Sequence, residues 1–136
     1  MSVHKAEQYK GKMDVQTFAS ALVDYTITEA NKENVVAKRN HWSIGERLIN
    51  AALDVAVAID MANSMRLELP EEAKIRLGQQ DLALAAIFRL KILVEVARNI
   101  SGFAAQKQMH WTRLATNLQN LVTAWKDSDR LRKRKP

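Results

Sequence analysis

The sequence predicts an all-α protein, an antiparallel up-down four-helix bundle, and three observations lead there. Apolar residues recur at helical spacing in four successive segments. Gly and Pro together number only 6 among 136 residues, roughly a third of the ~12% of average usage. Tight turns are therefore scarce, whereas a β-sandwich or barrel needs one every ~8–12 residues. No segment shows the clean two-residue alternation of a half-buried strand.

Residues 1–13 are polar and aperiodic and are expected to form a flexible N-terminal arm. Asp14 can cap a first helix running to about Asn34, with Val15, Phe18, Leu22, Tyr25 and Ile27 as its apolar positions. A second helix is expected from Asn40 or Ser43. Ser43-Ile44-Gly45-Glu46 fits a capping box, in which hydroxyl and carboxylate satisfy free amides at the helix start. Its apolar series is Ile44, Leu48, Ala51, Val55, Ile59 and Ala62, ending near Ser64 to Arg66.

Pro70 suits the first position of a third helix, and Glu71 and Glu72 suit its positive start. This helix should run to about Asn99, with Gly102 as its stop. Leu82, Ala86, Leu90, Leu93, Ala97 and Ile100 are read as one stripe, widened by Ala83, Ile87 and Val94. The fourth helix is expected over about Phe103 to Lys126, where Trp111, Leu114, Leu118, Leu121 and Trp125 recur every three or four residues. Asp127-Ser128-Asp129 then breaks the pattern. The organisation expected is thus an arm at 1–13, a bundle over 14–126 and a basic tail over 127–136.

Several function classes are disfavoured. With no cysteine there is no disulfide, cysteine-zinc site or thiol nucleophile. The longest uncharged stretch, Leu114 to Trp125, is far short of the ~20 apolar residues of a membrane span. The polar start has no signal-peptide core, so a cytoplasmic location and no membrane partner are expected. His4, His41 and His110 fall in separate segments, and no Glu-x-x-His, H-E-x-x-H, Walker or dinucleotide-binding glycine pattern occurs. Neither catalysis nor a metal or other cofactor is expected. Gly45 and Gly78, isolated within helical patterns, suggest close helix approach.

Charge is more informative. Residues 1–40 hold six Lys/Arg against five Asp/Glu, residues 41–100 seven against eight, and residues 101–136 eight against two. Basicity is thus a property of the C-terminal end, where Arg130, Arg132, Lys133, Arg134 and Lys135 follow one another closely. Such a run suits an acidic partner, with RNA or DNA the commonest. Lys38, Arg39 and Arg47 around the second helix start, Arg89, Lys91 and Arg98 on the third helix, and Arg113 on the fourth, could add to it or simply be solvated. Lys91 and Glu95 could pair with each other. Trp111 and Trp125 lie on an apolar stripe and read as core. Trp42 could pack at a subunit contact, and no base-stacking aromatic set is visible. Leu84, Phe88 and Ile92 widen the third helix beyond what one bundle needs, which suggests self-association.

Three stretches carry a family likeness. Ile44-Gly45-Glu46-Arg47-Leu48-Ile49-Asn50 resembles the L-G-x-R-I-x-N segment that opens the second helix of the Avd-like four-helix-bundle family. These are accessory proteins of diversity-generating retroelements, related to bundle proteins encoded in ribosomal RNA intervening sequences. Lys38-Arg39-Asn40-His41-Trp42 is similar to the basic–aromatic approach to that motif. The run Leu90 through Ile100 resembles the family's third helix, and Lys107 through Trp125 its closing leucine ladder. The likeness spans about residues 14–126. It implies a homopentamer with a basic surface that binds nucleic acid and a reverse transcriptase without being catalytic. Arg47 and Lys91 fall on basic positions of the family, and His41 stands where Arg is frequent. Glu95 and Asn120 replace basic residues and thin the basic body surface. The competing expectation is a structural or protein-interaction bundle of the same fold, its tail merely solvated.

Overall fold

A computed structural model describes the backbone of residues 3–133 and the side chains of residues 15–132. The chain is all-helical. Four long helices, α1 (Val3–Ala30), α2 (Glu46–Ser64), α3 (Pro70–Ser101) and α4 (Ala105–Lys133), account for most of it, with no strand among the described residues. A short 3₁₀ turn (Lys38–Asn40) and a π-helical turn (His41–Gly45) lead into α2. No helix is long and apolar enough to cross a membrane among the described residues.

Each helix packs on its neighbours in sequence, and α4 packs back on α1, with α2–α3 the broadest interface. Burial follows the apolar period. Leu48, Ala51, Val55, Ile59 and Ala62 are buried along α2, and the first four meet Leu22 of α1, Ile87 and Leu90 of α3, and Trp111 and Leu118 of α4 in one core. Pro70 opens α3, and Gly102 closes it in the left-handed conformation at φ 70°. A β-carbon is disfavoured in that conformation, which is why glycine stands there. Leu114, Leu121 and Trp125 are half-buried against the same core.

Four details differ from the sequence expectation. Helix α1 begins at Val3, so most of the expected arm continues the helix and Asp14 lies within it rather than capping it. Lys5, Ala6, Glu7 and Gln8 are good helix formers. Once packing has nucleated the later turns, each added residue gains a hydrogen bond. Second, the capping box does not form. Ser43 Oγ donates to the Asn40 carbonyl at 3.3 Å, because residues 41–45 are wound as a π turn and not as the first turn of α2. Third, Leu82 and Ile100 are exposed, whereas Ala83, Ile87, Leu90, Val94 and Ala97 form the buried stripe, stepping four, three, four, three. Five turns of helix separate Leu82 from Ile100, so both leave the core together.

The fourth difference is the end of α4. The helix runs on through the Asp127-Ser128-Asp129 break to Lys133 because Asp129, 1% exposed, is a buried anchor. Its carboxylate accepts Arg76 Nε at 2.6 Å and Nη2 at 3.1 Å, and Gln80 Nε2 at 2.7 Å. Arg76 also donates to the Met65 carbonyl at 3.1 Å and lies 5.2 Å from the centre of the Trp125 ring. Gln80 Oε1 is left without a partner.

Candidate nucleic-acid interface

The corner between α1 and α2 is built from the inside outward. Val35 and Val36 are buried and pin the connection to the core. Gly45 is buried against them: a β-carbon there would stand 3.4 Å from Val36 Cγ1 and 3.3 Å from His41 Nδ1. The crowding comes from the connection and from the glycine's own turn, not from the close helix approach expected there. At Gly78 it is absent, since a β-carbon would meet nothing within 4 Å. The tight corner is accommodated by the π turn, closed by the Glu46 N–H on the His41 carbonyl. Such turns widen a helix by one residue and recur at functional sites.

The outside of this corner is basic and aromatic. Lys38, Arg39 and Arg47 are exposed, and none makes an ion pair or side-chain hydrogen bond among the described residues. Trp42 is 76% exposed and its ring meets the half-buried His41 ring edge-on, with centroids 5.3 Å apart. Trp111 is fully buried and donates through Nε1 to Thr26 Oγ1 at 3.0 Å; Trp125 is half-buried.

Below the corner, Glu29 is 4% exposed and accepts Lys107 Nζ at 2.7 Å and Lys32 Nζ at 2.9 Å. Burial alone pushes its carboxyl up. The two ammonium hydrogen bonds and charges outweigh that and hold it below the ordinary carboxylate value.

The remaining expected cations are distributed rather than gathered. Lys91 is half-buried and donates to Gln119 Oε1 instead of pairing with Glu95. Arg89 pairs with Asp54 at 2.8 Å, and Arg98 donates to the Phe103 carbonyl at 3.1 Å. Arg113 is exposed on α4, as are Arg130 and Arg132 at its far end. The Lys133 side chain, Arg134 and Lys135 lie outside the described residues. Lys107, beside the corner, and Asp129, beside the basic end, are 22 residues apart on one helix. At 1.5 Å per residue the two basic regions are about 33 Å apart, so one protomer does not merge them.

The apolar residues expected at an oligomer interface also separate. Leu84 is half-buried against the core, while Phe88 (65%) and Ile92 are exposed. They are joined on α3 by exposed Ile75, Leu82, Val96 and Ile100, and α2 exposes Leu53, Val57 and Met61. Sequence reasoning missed the anchoring role of Asp129. A signal existed: Arg76 and Gln80 occupy core-facing positions of α3, in step with Ala73, Ala83 and Ile87. Trp42, expected at a subunit contact, stands exposed on the π turn of the protomer.

Comparison with protein-family models, with curated proteins and with solved structures finds no match to this chain.

Proposed function

We propose that this chain is a non-catalytic, cytoplasmic, homo-oligomeric protein that holds nucleic acid by charge. The observation that carries the reading is the corner of exposed, unpaired cations, Lys38, Arg39 and Arg47. Cations without a carboxylate partner are available to neutralise phosphates, which gives affinity without sequence readout. Arg130 and Arg132 supply a second such group at the far end of α4. An antiparallel up-down arrangement of the four helices is part of the proposal. Its support is the descending order of partners: Glu29 with Lys107 and Thr26 with Trp111 between α1 and α4, Lys91 with Gln119 and Arg76 with Asp129 between α3 and α4.

Self-association rests on the uncovered apolar residues of α2 and α3. Nine exposed apolar side chains are distributed over these two helices, and together they offer an area on the order of the ~800 Å² that one partner contributes to a standard interface. A ring of copies repeats each weak phosphate contact and multiplies the affinity. The resemblance of Ile44–Asn50 and Leu90–Ile100 to the Avd-like bundles supports a pentamer, and a reverse transcriptase of a diversity-generating retroelement as the protein partner.

Two measurements test the reading. Light scattering at micromolar concentration should return a multiple of 15.4 kDa; a 15.4 kDa particle would sink the assembly. A labelled RNA titrated at two salt concentrations should bind more weakly at the higher one, the slope of log K against log salt being about −0.7 per single-strand phosphate neutralised. Binding indifferent to salt, or absent, leaves only the structural bundle.

A further inference from the structure

We infer that Trp42 is a stacking platform for an unpaired nucleotide base, which makes single-stranded nucleic acid the preferred ligand of the α1–α2 corner. The inference rests on the nucleic-acid reading and narrows it to one strand state.

Three observations carry it. First, the Trp42 side chain is the most exposed of all large apolar residues described, at 76%, although the chain buries Trp111 completely. An indole left in water at that level gains nothing from the fold. Among the described residues its aromatic partner is the edge-on His41 ring, and most of the indole surface stays in water.

Second, the cations nearest to it in the chain make no ion pair among the described residues. Arg39 lies three residues before Trp42, Lys38 four before and Arg47 five after. Lys38 and Arg39 stand on the 3₁₀ turn that runs directly into the π turn bearing Trp42, and Arg47 stands in the first turn of α2 that follows it. The nearby Glu46 leaves the segment 38–47 with three cations against one anion, a net +2.

Third, the backbone that carries it is anchored. Buried Val35, Val36 and Gly45 pin the corner to the core, so the main chain around the indole is set before a base arrives. A basic strip tracking the backbone, with an aromatic face for the base, is the common design of single-strand binding. Bases inside a duplex are already stacked on one another and offer no free face, so a duplex gains only the charge contribution.

The test uses the full chain with a short oligo(U) and a duplex RNA of equal length. Oligo(U) should bind more tightly and quench tryptophan emission. Trp42→Phe should keep most of the affinity and abolish the quench; Trp42→Ala should weaken oligo(U) about tenfold, in line with loss of one stacked base, and leave the duplex unchanged. Circular dichroism of both variants should match the parent, since the side chain lies outside the core. Oligo(U) affinity unaffected by Trp42→Ala, or a quench that survives Trp42→Phe, overturns the inference while salt-dependent binding leaves the broader reading standing. A Trp42-dependent emission change on raising protein concentration without RNA assigns the indole to a subunit contact and overturns it too. If neither RNA binds, both readings fall together.

Discussion

The two ends of α4 solve the same problem in different ways. At each end a buried carboxylate is held by a cation of another helix, joined near the start by Lys32 from just past the end of α1. Near the start, Glu29 is held by Lys107 and Lys32, whose own side chains are partly exposed. Near the end, Asp129 is held by Arg76, itself buried, through two hydrogen bonds of one planar guanidinium, with Gln80 adding a third. Lysine presents a hydrated point charge, and water competes for it; arginine presents a fixed fork that the carboxylate matches. The first site is therefore adjustable by pH and salt, and the second is a rigid clamp. Beyond the adjustable site lies an open corner of unpaired cations and an exposed indole. Beyond the clamp α4 carries Arg130 and Arg132 forward as far as Lys133.

The sharpest way to break this comparison is at the clamp. Asp129→Ala strands a buried guanidinium and should destabilise the fold by about 3–5 kcal/mol, whereas Arg76→Met combined with Asp129→Leu should recover most of that loss. Urea unfolding followed by far-UV circular dichroism measures both. If the double variant is as unstable as the single one, the cost lies in packing and not in the stranded charge.

A smaller effect is expected at Glu29. Glu29→Gln should cost about 1–3 kcal/mol at neutral pH, because two ammonium groups lose a charged acceptor. Its folded-state value is held below the ordinary one, so its contribution is complete above the ordinary carboxylate range near pH 4.5 and is lost as pH falls through the lower folded value. The parent should therefore show an acid-side stability decline that the variant partly lacks. Parallel slopes below pH 4.5 would argue against the ion pair as its source.

Gly78→Ala tests the solvent side of α3. The position is helical and exposed, and a β-carbon meets nothing within 4 Å. Removing glycine's backbone freedom should raise stability by about 1 kcal/mol. A loss in the assembled protein, with a gain under dilution, would place Gly78 in a subunit contact. The smallest effect is expected at the corner: Lys38→Ala with Arg39→Ala should change stability by no more than about 0.5 kcal/mol while reducing the salt dependence of RNA binding. Melting curves and titrations on the same sample separate the two.

The elements themselves were legible because helical periodicity is a local property. Leu48, Ala51, Val55, Ile59 and Ala62 are buried as their spacing predicts, Pro70 and Gly102 bracket α3, and Trp111 is core. The candidate site was legible only as residue types. Lys38, Arg39 and Arg47 are visible as cations in the sequence, but whether a cation finds a carboxylate depends on another helix: Arg89 finds Asp54, and Lys91 finds Gln119. The Asp127-Ser128-Asp129 stop was misread for the same reason, since Asp129 breaks a helix in isolation and extends one when Arg76 reaches it from 53 residues away.

By itself the sequence determined that this chain is helical, where most helices turn, and that its charge gathers at particular points. Those follow from spacing and backbone preference within a few residues, and need no knowledge of neighbours. Tertiary structure alone decided how far Trp42 stands in water, that Leu82 and Ile100 leave the apolar interior, and which cations find partners. Burial and pairing are set by what a second helix brings alongside, and that information is distributed across the whole chain.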